Sequence, residues 1–596
     1  MNEQFEKYYY KDIREMVTLK DLLKGSAKLY PDNAAFWVKK KRGSEYLPIN
    51  YTLLDHDVDS IGTMLYELGL KGKPVAIMGQ GCYEWIVTYL AVMNGSCISV
   101  PIDKELSGPE IDNLLKASGC HTIFCTKEEC SKLEGLSQIE TLIVMEFYGD
   151  RINIEEKPVS GIENIDKYQK LIPGAKTLIW RDLLSQGEEL LSQGRDAFVV
   201  NEVDPDALAA ILFTSGTTGN PKGVMLCHRN ITVNIMDVCR IANVLETDKT
   251  LSLLPIHHTY ECTLGMLLVL YRGASTAFCE GMKYISQNMK EAQNTVLIVV
   301  PRVLDLVYNK IQKGIKKEGK EKLFNNIMKV NRGLRSANIN VSRMIFKSIL
   351  DQLGGNLRFI VTGAAALNPT IFRAFEEFGV IVLQGYGMTE CTPLLTGTPM
   401  SAMRERYKKA GSVGIPVSTG EVKIHEPNED GIGEVWFRGP NVMLGYYNMP
   451  EETAEVLESD GWLHTGDMGF IDPDGWLYLT GRKKNVIVTN TGENVYPEEI
   501  EDYINFSPYI EESMVFPYKH DGKEVVGVQI LPEMEYIRET LGHEPTDEEL
   551  ETLMKDVIKE LNEGLSIYKR ITKVFVRKED FIRTTTRKIK RQENMI

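Results

Sequence analysis

The sequence predicts an α/β protein, with a large N-terminal domain of parallel-sheet layers and a small α+β domain at its C-terminal end. Three observations support this. The 596 residues exceed one ordinary domain, and a 43% share of hydrophobic residues can fill more than one core. From Leu19 to about Val200, short apolar runs alternate with amphipathic stretches at strand–helix–strand spacing, the rhythm of parallel sheet. Beyond Lys484 the rhythm changes to strands near 513–517 and 525–531, a helix over 547–562 and a strand over 573–576.

Within the first stretch, 74–78 reads as a strand, 83–93 as a helix and 97–100 as a strand ending at Pro101. A helix over 110–118 and a strand over 122–125 continue the pattern. In such a sheet, ligands bind beyond the carboxyl ends of the strands. Residues 161–194 are polar and irregular and read as a surface excursion.

A net charge of −15 argues against a general nucleic-acid binder, and no zinc-finger or RNA-binding string is present. The ten cysteines include no C-x-x-C. Cys120, Cys125 and Cys130 stand without histidines at zinc spacing, so they read as reduced and partly buried, as in a cytosolic protein. Residues 1–16 lack an apolar signal core, and the longest apolar runs, 85–100 and 263–271, are too short or interrupted to span a bilayer. The expectation is a soluble cytoplasmic chain, with peripheral membrane contact left open.

An apolar run over 207–213 reads as a buried strand. It ends at Thr214, Ser215, Thr217 and Thr218, interleaved with Gly216 and Gly219 and followed by Pro221, Lys222 and Gly223. Glycines let backbone N–H groups turn toward one point, hydroxyls add neutral donors, and Lys222 adds a charge on a long stem. This is the chemistry of a polyphosphate cradle, although Gly-x-x-x-x-Gly-Lys-[Ser/Thr] cannot be written here. The string Thr-Ser-Gly-Thr-Thr-Gly-Asn-Pro-Lys-Gly resembles the phosphate loop of the adenylate-forming superfamily, which holds acyl-CoA synthetases, luciferases and peptide-synthetase adenylation domains. Taken with the later motifs, the chain is most similar to bacterial long-chain fatty acyl-CoA synthetases. That resemblance implies a β-barrel-like part in the large domain and a mobile small one.

Further motifs carry the resemblance in order. A strand over 251–255 delivers Ile256, His257, His258, Thr259, Tyr260 and Glu261. Neighbouring histidines in a strand face opposite ways, which disfavours a shared metal. The resemblance puts His258 beside the carboxylate being activated, and Thr259-Tyr260-Glu261 resembles the long-chain subgroup. A strand over 356–363 ends in Gly363-Ala364-Ala365-Ala366, small residues that admit a flat ligand; Ala364 and Ala365 are the candidates. A strand over 380–383 ends in Gln384-Gly385-Tyr386-Gly387-Met388-Thr389-Glu390, similar to the family's Tyr-Gly-x-Thr-Glu. The resemblance implies that Tyr386 stacks on adenine between Gly385 and Gly387, Thr389 bonds a phosphate oxygen and Glu390 holds Mg2+. A flat ring suits a base, and a hard carboxylate suits a hard cation. Likewise Asp467, in His464-Thr465-Gly466-Asp467, matches the position that accepts both ribose hydroxyls, and Arg482 the one that reaches ribose or phosphate.

In the family the chain hinges just after that arginine. This implies a domain over 1–481, a hinge over 482–484 with Lys484 at its centre, and a mobile lid over 485–596. Gly492 falls in the loop that lines the pantetheine tunnel. Near the end, Arg583-Thr584-Thr585-Thr586-Arg587-Lys588 is similar to Pro-Arg-Thr-x-x-Gly-Lys, with Ile582 and Arg587 replacing the proline and glycine. The register makes Lys588 the catalytic lysine.

The resemblance implies ATP and Mg2+ as cofactors, coenzyme A as co-substrate, and a fatty acid or other carboxylic acid as substrate. Thr214, His258, Glu390 and Lys588 carry the chemistry. An acyl carrier protein in place of coenzyme A, an aryl, bile-acid or amino-acid substrate, and a non-catalytic nucleotide-binding regulator stay open as alternatives. From Arg302 to Leu350, twelve Lys or Arg stand against three acids on two long helices, with Val303, Leu306, Val307, Ile311 and Ile315 as the apolar stripe. This segment reads either as a solvated face or as a docking surface for anionic lipid headgroups.

Overall fold

The computed structural model describes residues 3–146, 165–214, 221–337, 339–489, 493–520, 523–583 and 589–596. They form two compact units. One comprises Met1–Glu421 with Arg438–Leu463, the other Val422–Phe437 with His464–Ile596.

The first unit holds two mixed sheets. In the eight-stranded sheet the order is Gly445–Tyr446, Lys222–Cys227, Leu208–Thr214, Ile98–Ile102, Pro74–Met78, Thr122–Thr126, Thr141–Met145 and Lys176–Ile179. From Leu208–Thr214 to Lys176–Ile179 the strands are parallel, while Leu208–Thr214 and Lys222–Cys227 form an antiparallel hairpin. Every residue of the crossover helix Tyr83–Asn94 is buried, which explains its nearly continuous apolar sequence. The nine-stranded sheet centres on parallel strands Ser275–Phe278, Lys249–Ser252, Val296–Val299, Phe359–Thr362 and Ile381–Gly387, with antiparallel strands at both edges.

Three expectations are corrected. The stretch 161–194 is not a plain surface excursion. Among its described residues it supplies the edge strand Lys176–Ile179 and the helix Trp180–Ser192. Trp180, Leu183, Leu184 and Gly187 make that helix's buried face. Gly187 lies so close to helix Tyr51–Glu67 that an added Cβ would come within 2.0 Å of the Ser60 carbonyl oxygen. A four-residue edge strand carries too little periodicity to stand out in polar surroundings.

The second correction is to the stripe on helix Pro301–Lys317. Val303 and Leu304 are buried and Val307 and Ile311 pack on the core, but Leu306 is 54% exposed. At 100° per residue, position 306 lies off the face set by 303, 307 and 311. With Lys310, Lys313 and Lys317 it forms an outward row.

The third concerns the barrel. The second unit contains an open four-stranded sheet in the order Glu421–His425, Gly433–Arg438, Leu463–Ile471, Leu477–Arg482, whose end strands are unpaired with one another. Four twisted strands are too few to close around side chains. The same unit contains antiparallel Ile510–His520 and Lys523–Pro532, with Ile571–Val576 parallel to the latter. Helices Pro497–Ile504 and Asp547–Leu561 contribute to its apolar core. The second of these starts at a capping box: Glu549 N donates to Thr546 Oγ1 at 3.3 Å, and Thr546 N to Glu549 Oε2 at 2.8 Å.

Of the ten cysteines, nine are buried and Cys279 is half-buried; all are free thiols. Among the described residues no helix is long and apolar enough to cross a membrane.

Candidate active site

In the first unit the predicted residues converge where the two sheets present strand ends. Thr214 closes one strand and Lys222 opens the next, and the two are register partners. The hydroxyl of Thr214 donates to the Lys222 carbonyl at 3.4 Å. Ser215, Gly216, Thr217, Thr218 and Gly219 lie outside the described residues. The Lys222 ammonium stands 4.8 Å from the ring centre of Tyr446, whose short strand pairs with Lys222–Cys227. Tyr446 in turn donates its hydroxyl hydrogen to Glu390 Oε1 at 2.9 Å. Burial, followed by the nearby Glu390 carboxylate, pushes the Tyr446 phenol well above its ordinary range, so it keeps the proton that it donates to Glu390. Sequence reasoning missed Tyr446. The only local sign was a Gly-Tyr-Tyr run after an apolar stretch, which carries no chemistry by itself.

Glu390 sits on the turn after strand Ile381–Gly387. An added Cβ at Gly387 would lie 1.9 Å from the Pro393 carbonyl oxygen, so only glycine lets strand and turn approach this closely. Helix His228–Ile241 and Asn441 hold that turn. Asn234 donates to the Leu394 carbonyl at 2.8 Å and accepts the Leu394 N–H at 3.2 Å. Asn441 donates to the carbonyls of Cys391 and Leu394, and the Thr392 hydroxyl returns a bond to Asn441 O at 2.8 Å. Glu390 is therefore a nearly buried carboxylate on a rigid turn, with one oxygen held by Tyr446. Its second oxygen is of the kind that suits a hard divalent cation, and among the described residues Glu390 belongs to no group of three His, Cys, Asp or Glu side chains that could hold one.

Tyr386 and Gly387 are on the same strand, with Gly385 and Thr389 half-buried around them. Tyr386 itself is 7% exposed. Ala364 and Ala365 form an exposed turn after Phe359–Thr362, with Ala364 at φ +69°. The two histidines diverge. His257 lines a small cavity with Tyr89, Pro101, Leu212 and Cys262, and its Nε2 is 3.5 Å from Asp103 Oδ2. Burial lowers its pKa, and Asp103 only partly opposes this. His258 accepts the Tyr260 N–H on Nδ1 at 3.2 Å.

In the second unit, Asp467 and Arg482 are cross-strand partners, with Arg482 Nε 2.8 Å from Asp467 Oδ1. Arg482 also donates to the Thr465 carbonyl at 3.3 Å. The structure thus brings together two residues singled out fifteen positions apart. Lys484 is exposed, yet partial desolvation followed by the neighbouring Arg482 lowers its pKa. Gly492 and Lys588 lie outside the described residues. Adjoining the latter, Arg583 bridges to Ile589, and Arg591 reaches Glu501 at 2.5 Å and the Val515 carbonyl at 2.8 Å.

Comparison with known proteins agrees with this arrangement. The family model for the AMP-binding enzyme matches residues 23–447, and that for the AMP-binding enzyme C-terminal domain matches 484–595. The chain is 29% identical to long-chain-fatty-acid–CoA ligase 5 of Rattus norvegicus, covering 98% of this chain and 87% of that protein. It is 30% identical to the peroxisomal long chain acyl-CoA synthetase 6 of Arabidopsis thaliana, covering 80% of this chain and 67% of that one. Among solved structures, the adenylation domain of a carboxylate reductase from Mycobacterium chelonae has a TM-score of 0.77 at 19% identity, covering 99% of this chain and 92% of that one. An anthranilate CoA ligase in complex with anthranoyl-AMP has a TM-score of 0.72 at 19% identity, with 98% and 96% covered. The two structures share the fold, and the two family models together span most of the sequence: the chain belongs to the AMP-binding enzyme family.

Proposed function

We propose that the protein joins a long-chain fatty acid to coenzyme A at the expense of ATP, releasing AMP and pyrophosphate. The observation that carries this reading is the run of contacts from Thr214 through Lys222 and Tyr446 to Glu390, hydroxyl and ammonium on one side and a hard carboxylate on the other. The acyl class follows the relatives' names. In the first half-reaction a carboxylate oxygen attacks the α-phosphorus of ATP, and the bond to pyrophosphate breaks. In the second, the thiol sulfur of coenzyme A, having lost its proton, attacks the acyl carbon, and the bond to AMP breaks.

Each residue has a task. Thr214, Lys222 and Thr389, with Ser215, Gly216, Thr217, Thr218 and Gly219, hold phosphate oxygens. A Mg2+ ion held on Glu390 would neutralise phosphate charge. Tyr446 fixes the Glu390 rotamer, so that no reorganisation is needed when charge develops. Tyr386, with Ala364, Ala365, Gly385 and Gly387, receives the base, and Asp467 and Arg482 receive the ribose. His258 borders the reacting carboxylate. Lys588 supplies the ammonium for adenylation, and the domain over 485–596 turns about Lys484 to open the path for the thiol through the loop at Gly492. The onset of the C-terminal family model at residue 484 supports that hinge position.

Helices Pro301–Lys317 and Glu321–Ser336 offer a cytoplasmic membrane contact that would concentrate the acyl substrate. Leu306, Leu323 and Val330 are 54%, 56% and 61% exposed, among exposed Lys310, Lys317, Lys322 and Lys329.

Three outcomes are expected. Tyr446→Phe lowers ATP–pyrophosphate exchange about tenfold, the kinetic equivalent of about 1.4 kcal/mol for one charge-assisted hydrogen bond; an unchanged rate would show that Tyr446 does not serve Glu390. Lys588→Ala abolishes adenylation with oleate yet still passes supplied oleoyl-AMP to coenzyme A; equal loss of both steps would refute its assignment. Purified protein co-sediments with phosphatidylglycerol vesicles and less with phosphatidylcholine vesicles, and Lys310→Glu with Lys317→Glu removes the difference. Equal partition of wild type between the two would reject the lipid surface.

A further inference from the structure

Behind the two histidines the chain forms a π-helical segment, Tyr260–Leu267, whose wider turns mark local distortion of a helix. Glu261 lies inside it at 1% exposure. An added Cβ at Gly265 would meet the Glu261 carboxyl carbon at 2.9 Å and its oxygens at 3.0 and 3.1 Å, so the side chain folds back into space that only a glycine leaves. Ser252 Oγ and the Leu254 amide lie near it, but neither closes a hydrogen bond of ordinary geometry, and both carboxyl oxygens are buried without a partner among the described residues. A bare carboxylate in such a place is costly, whereas a neutral acid can donate and accept.

The surroundings say what this acid can hold. Tyr260 anchors one side of the segment, donating to the carbonyls of Val299 and Val361 at 3.1 and 3.2 Å. Cys262 N donates to the His258 carbonyl at 3.0 Å, and His258 N to the Pro255 carbonyl at 3.1 Å. Ser252 and Leu254 belong to the turn that leads into His257 and His258.

We infer that Glu261, folded back into the space at Gly265 beside Ser252 and Leu254, is a positioning residue that props the Ser252–Leu254 turn against the segment behind it and so sets the place of His258. This rests on the reading above that His258 borders the reacting carboxylate.

Burial raises the Glu261 pKa to about 8, the nearby Ser252 and Leu254 groups opposing it. Titratable neighbours on its own segment are Tyr260 and Cys262, and beside it His257, which faces Asp103. On helix His228–Ile241, packed against the segment, His228 accepts Leu19 N, Arg229 pairs with Asp206, Arg240 with Asp237, Asp237 with Ser418 and Thr419, and Cys239 is a buried thiol. Tyr271 on the following helix donates to Arg14 O, and strand Val296–Val299 is wholly apolar.

The test uses the full-length protein with oleate, ATP, Mg2+ and coenzyme A. Glu261→Gln keeps activity within about threefold of wild type at pH 7, whereas Glu261→Ala loses at least tenfold, mainly through KM for the fatty acid. Wild-type activity declines above pH 8, and Glu261→Gln lacks that limb. If Glu261→Gln is as impaired as Glu261→Ala while both melt cooperatively, or if it keeps the limb, the inference is wrong. A second readout does not depend on activity. Folding raises the pKa of this carboxyl, so between about 4.5 and about 8 the folded state binds the extra proton, and stability from this group falls as pH rises through that window. The Tm of Glu261→Gln relative to wild type therefore climbs from pH 5 to pH 8 and levels above it. A flat difference overturns the inference even if the protein proves inactive on every acid, an outcome that would instead refute the proposed function.

Discussion

The paired hydrogen bonds between Asn234 and Leu394 are the constraint on which the first unit's site depends. Asn234 stands on the helix that follows the Leu208–Thr214/Lys222–Cys227 hairpin of one sheet. Leu394 begins the strand that pairs with Ile381–Gly387 of the other. One buried side chain satisfying both the N–H and C=O of one residue fixes distance and orientation together. With the Tyr446 contact, that link joins the hairpin carrying Thr214 and Lys222 to the turn carrying Glu390. Asn441 and Thr392 repeat the device from the other side, so the turn is over-determined.

Electrostatics then divides the site's work. The Tyr446 hydroxyl holds the Glu390 side chain and Met443 N holds its carbonyl, so both ends of the residue are placed by hydrogen bonds. Lys222 lies against the Tyr446 ring, and no salt bridge to Glu390 forms among the described residues. In the second unit, Asp467 and Arg482 do pair directly, a buried carboxylate with a partly exposed guanidinium. Each side chain of such a pair fixes the other's orientation.

Much of the fold was legible because parallel sheet writes itself locally. The strand expected at 74–78 is present with the same ends, and those expected at 122–125 and 573–576 lie within observed strands. The motif residues were legible for a related reason: ligand-binding residues gather at strand ends, where glycines and hydroxyls interrupt apolar runs. What could not be read depends on partners far along the chain. Tyr446 is separated from Glu390 by 56 positions, and Asn234 from Leu394 by 160. The edge strand Lys176–Ile179 is recognisable only by the strand it pairs with. The barrel expectation came from the resemblance alone, and the four strands of that sheet are too few to close. Glu261 was visible in sequence as part of Thr-Tyr-Glu, but its burial and the space left by Gly265 were not.

The central claim is that one site activates a fatty acid and passes it to a thiol. The most direct measurement is acid-dependent production of AMP and acyl-thioester by the purified protein with ATP, Mg2+ and coenzyme A. Acids from acetate to oleate, with benzoate and a bile acid, cover the range of substrates. The account predicts one AMP per thioester, with the highest rates on the longer fatty acids. No acid-dependent AMP with any of them would contradict it.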